Sequence, residues 1–417
     1  MRSLKAGRLV AMLWILITYH GIFLIQLFLG GPFTKFRGFP GDVVSISAET
    51  IAALAWYVLA FNLIFAFVEN IVWRLSGGRS EPRAAWEIDQ EPNWLAGARW
   101  IYLAFLIGGG IWYWFKMAGG GYRDYVQLQQ SNWPVVFFWA SAPLITILAL
   151  LKRPWLAALA CVPFLFFAVY LKVRAFALLS IIPAAVVLYF QAIGASSARR
   201  QHFFKPIAVG VAIFAALVAV SVLVTFQKMA KIEGTPNAPG EITGLPDAGM
   251  IYGSAIVFEY VRDTATSLGS DSLLLYGWNW VNPFLLLAGL ERQVLLDPAV
   301  FMANIVDGVP LNSAVYFHYP TLWYGDAFLT FGNAGLLLAG LWGLIVSLWE
   351  RFMTRNMVLL ALLLPYYTWH AYMLVRGSPS SATVPLSYAA YVAALVLVVL
   401  SQQRFLKRFR AARRRAL

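Results

Sequence analysis

Long apolar stretches broken by short polar ones dominate the chain. Ten runs are long enough to cross a bilayer as helices, at about 20 residues per crossing. They cover residues 9–29, 49–69, 98–117, 134–151, 154–171, 174–194, 206–226, 327–349, 357–375 and 384–402. The stretch YLKVRAFALLS places Lys172 and Arg174 in the middle of about forty otherwise nearly uncharged residues. At about 1.5 Å rise per residue that length is about 60 Å, enough for two crossings, so the cations sit at a hairpin bend. The run 9–29 follows Arg2, Lys5 and Arg8 and is longer than a signal-peptide core, so it is expected to be a retained span.

A single long interruption separates residues 226 and 327. Its first part, KIEGTPNAPGEITGLPDAG, is rich in Pro and Gly without a period and predicts irregular structure. MIYGSAIVFEYVRDTATSL then predicts an amphipathic helix. DPAVFMANIV predicts another, with Asp297 as N-cap and Pro298 at the first helical position. The later aromatic and aliphatic content (YGWNWVNPFLLLAGL) is too high for a loop free in water. The expected organisation is seven spans in residues 1–226, a large outer loop over 227–326, three spans over 327–402 and a basic tail at 403–417.

Composition points the same way. The chain is 60% hydrophobic and 12% charged, about half the charge of a soluble domain, and its 17 Trp and 19 Tyr suit interfacial belts. With the N-terminus inside, inner segments hold 21 of the 32 Lys and Arg, so both termini are expected in the cytoplasm. The tail RFLKRFRAARRRAL suits an anionic inner leaflet. Net charge +13 therefore points to membrane lipids as partners, not to nucleic acid. One cysteine, Cys161, excludes an intrachain disulfide.

Candidate chemistry gathers on the outer side. His20, His202, His318 and His370 are far apart in sequence. No HExxH, CxxC, Walker or GxSxG pattern occurs, so no metal or other cofactor is expected. The glycines at 108–110 and 119–121 suit close helix contact better than a phosphate cradle. Lys172, Arg174, Arg262, Arg292 and Arg376 form an outward set of cations, and arginine forks suit a diphosphate. Each has a plainer reading. Lys172 and Arg174 can snorkel to lipid phosphates, Arg262 can pair with Glu259 three residues back, and Arg292 adjoins Glu291. Arg376 follows the polar aromatic stretch YYTWHAYMLVR, which favours function. His370 is placed in the outer half of its span as a site candidate or a structural hydrogen-bonding group. Candidate general bases are Asp326, His318 and Glu259, with Asp263 and Asp307 also on that face. Asp326 stands where the loop re-enters the membrane; burial would suit catalysis, and the alternative is an N-cap.

At this point the chain resembles the Wzy-type O-antigen polymerases, the oligosaccharide repeat-unit polymerase family. The resemblance rests on the outer hairpin VRAFALLSIIP, the large outer loop, PTLWYGDAFLTFGNAGLLLAGLWG, and the RG pair of VRGSPSS. It departs from the family pattern at Asp326, where Glu is expected, and at Ser378, where an acid is expected. The resemblance implies an all-α integral membrane protein of about ten transmembrane helices with a GT-C-like arrangement. It implies a metal-independent glycosyltransferase of the bacterial inner membrane, without cofactor. The enzyme would transfer a growing glycan from undecaprenyl diphosphate to an incoming lipid-linked repeat unit at the periplasmic face, building O-antigen, capsule or exopolysaccharide. A chain-length regulator is an optional further partner. Lys172, Arg174, Arg262 and Arg376 would hold the diphosphate, with His370 and Arg292 secondary. The alternatives are an O-antigen ligase acting on lipid A-core and, in a different class, a lipid-glycan flippase.

Overall fold

The structure is a computed structural model. It describes residues 46–75, 93–117, 133–171, 174–197, 248–264, 321–354 and 357–376, with isolated helical positions at Val281, Leu285, Ser387, Ala390 and Val398. The described part is 94% helical and contains no strand. Among the described residues, three helices are long and apolar enough to cross a membrane: Ala48–Leu75, Leu95–Met117 and Leu322–Met353. Shorter apolar helices cover Val136–Leu150, Pro154–Tyr170, Leu179–Leu188 and Leu359–Val375. The expected spans 9–29 and 206–226 lie outside the described residues, as do most of 384–402 and the helix expected at 297–306.

Eleven α-helices follow in order among the described residues: α1 (Ala48–Leu75), α2 (Asn93–Ala104), α3 (Gly110–Met117), α4 (Trp133–Ala140), α5 (Pro143–Leu150), α6 (Pro154–Tyr170), α7 (Arg174–Ser197), α8 (Ala248–Thr264), α9 (Leu322–Phe331), α10 (Leu336–Thr354) and α11 (Met357–Val375). A π-turn, Phe105–Gly109, joins α2 to α3, and a 3₁₀ turn, Gly332–Gly335, joins α9 to α10. Thus several single runs in the sequence fold as two helices. Between α4 and α5 the cause is Pro143, which lacks an N–H and interrupts the ladder. The α5–α6 bend closes on Lys152, at φ 56°. Arg153 N–H bonds Leu148 O at 2.9 Å and Lys152 N–H bonds Ala149 O at 3.1 Å, a Schellman pattern with Pro154 starting the next helix.

Contacts divide the chain into two compact units. The first holds α1, α8, α9, α10 and the last residues of α11, from Trp369. Here α1 and α10 run parallel. Gly340 of α10 lies by Ile64 and Val68, Gly343 by Phe65 and Glu69, and Ser347 Oγ donates to Glu69 O at 3.1 Å. A Cβ at position 343 would sit 2.8 Å from Phe65 O, so only glycine permits this approach. On another face of α1, Trp56, Leu59, Leu63 and Phe67 are 48–71% exposed. Such a stripe is costly in water and natural in hydrocarbon.

The second unit holds α2 to α7 and the start of α11, up to Thr368. Its core is aromatic. Phe138 stacks on Phe164 at 4.6 Å, and Tyr113 lies 4.7 Å from Phe167. Buried hydroxyls tie α11 to α4 and α5: Tyr366 donates to Ala140 O at 3.0 Å, and Thr146 donates to Ala361 O. Gly109 bears out the packing role expected of its run, since a Cβ there would lie 2.9 Å from Phe138 N.

Candidate functional site

The first unit carries two polar constellations, one at the N-terminal end of α1 and one around Asp326. At α1 the sequence SAET begins the helix with its own cap. Ser47 Oγ accepts from Thr50 N–H at 3.1 Å, and Ser47 O accepts from Ile51 N–H at 3.1 Å. The residue that would reach back to the cap in a capping box is supplied by another helix. Glu259 of α8 accepts from Ser47 N–H and from Ser47 Oγ, both at 3.3 Å. Its second oxygen takes Arg262 Nη2 at 2.6 Å. Arg262 Nη1 also donates to Ser47 Oγ at 2.6 Å, Nη2 lies 3.3 Å from Asp263 Oδ1, and Glu49 stands at 3.8 Å. Carboxylates therefore face the positive N-terminus of α1, and Arg262 stands in the last turn of α8. The ion pair with Glu259 that the spacing on α8 allows is present, at 2.6 Å.

Asp326 is the fifth residue of α9, so it does not cap that helix; Thr321 precedes the first turn. The carboxylate is buried, at 2% exposure. It interacts electrostatically with the Tyr57 hydroxyl of α1. Leu322 enters α9 at φ 51° and Gly332 leaves it at φ 59°, so left-handed residues bracket the segment. For leucine that conformation is strained, and such strain concentrates at functional positions. Next to Asp326, Gly325 lies against α8: a Cβ there would be 3.0 Å from Ser254 Cα. Ser254 Oγ donates to Thr321 O. The 3₁₀ turn folds back closely, and a Cβ on Gly335 would fall 2.5 Å from the Tyr57 hydroxyl. Aromatic rings close the surroundings. Phe258 stacks on Phe328 at 3.8 Å, and Tyr57 meets both edge-on at 5.2 Å.

The remaining candidates are distributed as follows. His370 is buried and its ring lies 4.8 Å from Trp349 of α10. Arg376 follows α11, partly exposed, its N–H bonded to Tyr372 O at 3.1 Å; it has no acidic partner among the described residues. Arg174 opens α7 in the second unit. Lys172, Arg292 and His318 lie outside the described residues. Among the described residues no three metal-ligating side chains converge.

Sequence reasoning missed Ser47, Tyr57 and Ser254. Ser47 carried a readable signal, a serine three residues before Thr50 at the head of an apolar run. Tyr57 and Ser254 carried none, because their roles come from neighbours far along the chain. No protein-family model, curated protein or solved structure matches this chain.

Proposed function

We propose that the protein is a lipid-linked glycan polymerase of the bacterial inner membrane, acting at the outer face. One observation supports this reading above the others: Asp326 is a buried carboxylate in a short helix that is broken from its continuation at Gly332–Gly335. Interrupted helices with an ionisable group inside a membrane protein mark functional sites. The broken segment is also the stretch that carries the family resemblance.

In this mechanism the Asp326 carboxylate accepts the proton of the acceptor sugar's hydroxyl. That oxygen forms a bond to the anomeric carbon of the donor glycan, and the bond from that carbon to the undecaprenyl diphosphate oxygen breaks. The diphosphate leaves with the electron pair, and cations stabilise the charge it gains. Arg376 is the best placed of the described arginines for that role, being partly exposed and without an acidic partner among the described residues. Arg174 and Lys172 are proposed to assist. Glu259 is a weaker base candidate than Asp326 because Arg262 and Ser47 already engage both its oxygens.

The parallel course of α1 and α10 agrees with the topology read from charge, in which both run from the outer to the inner face. One observation favours the transporter reading: Glu69 and Glu350 are also buried, at 1% and 0% exposure. Both stand in the later turns of their helices, near the proposed inner face, so they do not form a path across the membrane with Asp326.

The test uses purified protein in proteoliposomes with an undecaprenyl-diphosphate repeat unit and EDTA. Wild type is expected to give a product ladder, and Asp326→Asn to lose about a hundredfold or more in rate. Arg376→Ala and Arg174→Ala should weaken it. Transfer onto lipid A-core in place of a ladder would identify a ligase. Movement of the lipid-linked glycan across the bilayer with no product would identify a transporter.

A further inference from the structure

The exposed side of α1 is not smooth. A groove of about 650 Å³ runs along the second half of the helix, lined by Leu63, Ile64, Phe67 and Ile71, with Asn70 and Arg74 at its far end. That volume lies within the range of ligand pockets. The lining is apolar until the last turns of the helix and polar only there. An apolar channel closed by a cation at one end has the amphipathic pattern of a lipid.

Two lengths say where such a groove stands in a bilayer. α1 has 28 residues, so it is about 42 Å long against about 30 Å of hydrocarbon. Ser47 and Glu49 join the polar cluster at its first end, and Arg74 stands in its last turn. With the apolar turns in hydrocarbon, a helix of this length carries its terminal turns into the headgroup layer, and Arg74 with them. The rise from Leu63 to Arg74 is about 16 Å, and one leaflet's hydrocarbon is about 15 Å thick. The groove therefore matches one leaflet, from the middle of the bilayer to the headgroups.

Its polar end suits an anion. Arg74 is exposed and has no acidic partner among the described residues. Glu69, the closest acid along the helix, is buried on the side of α10, where Ser347 donates to its carbonyl. Asn70 donates one amide hydrogen to Ala66 O at 2.7 Å, and an amide carries two. The guanidinium fork fits a phosphate. No carboxylate among the described residues stands there to hold a choline or ethanolamine amine, so a headgroup of net negative charge fits best. We propose that this groove binds an anionic phospholipid, one acyl chain lying along Leu63, Phe67 and Ile71 and the phosphate meeting Arg74 and Asn70. Basic sites beside membrane helices recognise anionic headgroups in this way. The inference stands on α1 alone and does not depend on the role of Asp326.

The full chain is reconstituted in vesicles of equal parts phosphatidylglycerol and phosphatidylcholine with the same acyl chains. Photoreactive p-benzoylphenylalanine is placed at position 67, in the groove, or at position 341 of α10 as control. Leu341 is also exposed and stands at a similar depth, since its neighbour Gly340 lies by Ile64 and Val68. Mass spectrometry reads which lipid each position captures. Position 67 should capture phosphatidylglycerol about fivefold over phosphatidylcholine, the factor for roughly one basic residue acting on an anionic lipid. Position 341 should capture the two nearly equally. Arg74→Gln should return position 67 to the equal ratio. Equal capture at position 67 in the otherwise unaltered chain would overturn the site, as would an enrichment that survives Arg74→Gln. Capture of another segment or a second copy of the chain would overturn it too, because protein would then fill the groove. Arg74 is exposed, so its replacement is expected to fold; if it does not, the comparison of positions 67 and 341 still decides.

Discussion

Ser47 shows how much one residue can connect. It caps α1, accepts from Arg262 and donates to Glu259, so a single hydroxyl joins two helices that are 212 residues apart in sequence at that contact. Ser47→Ala is expected to cost about 1 kcal/mol, the usual loss for an N-cap, and more if the Arg262 contact fails with it. The check is the thermal midpoint of the detergent-solubilised protein. At this scale the sequence exposed the Glu259–Arg262 spacing and left open whether the guanidinium faced a carboxylate or a ligand. Spacing on one helix says which groups can meet. It says nothing of the Ser47 hydroxyl and backbone that complete the cluster from another helix.

Helices in this protein are defined as much by their breaks as by their apolar faces. Pro143 and the 3₁₀ turn at Gly332–Gly335 each divide a run that reads as one span, while the π-turn at Phe105–Gly109 widens a helix that continues through it. Proline is visible in a sequence, but a glycine that breaks a helix looks like a glycine that packs one. Gly108 and Gly343 make the contrast measurable. Nothing lies within 4 Å of a Cβ on Gly108, whereas one on Gly343 would meet backbone atoms of Phe65 and Glu69 at 2.8 and 3.1 Å. Gly108→Ala is expected to be neutral or to stabilise by up to about 1 kcal/mol. Gly343→Ala is expected to destabilise by about 1–3 kcal/mol by pushing α1 and α10 apart. Thermal unfolding of the two variants side by side checks both.

Across the whole molecule, the physical constraint is the bilayer. A protein whose described residues are almost all helical, with Trp56, Leu63 and Phe67 exposed on one helix face, is stable where that face meets lipid. The charge count in the sequence is the basis for a proposed orientation, which makes a prediction on two described positions. Cysteines replacing Lys152 and Asp263, in a Cys161→Ala background, are expected to label from opposite sides: position 152 from the cytoplasmic face and position 263 from the outer face. Labelling of both from one side would overturn the topology and, with it, the placement of Asp326 near the outer surface.

Hydropathy alone determined the class of the protein and the approximate extent of its apolar helices, because about twenty apolar residues must bury themselves in lipid whatever their neighbours are. It placed α11 at residues 357–375 and α6 within a residue of its observed limits. Tertiary structure decided everything about the site that depends on approach between distant segments. It made Asp326 a buried residue inside a broken helix, joined Arg262 to Glu259 and Ser47, and left Arg376 without an acid beside it among the described residues. The reason is one of range. Hydrophobic burial in a membrane sums over a local stretch, whereas a hydrogen bond acts over about 3 Å and needs both partners brought to it by packing.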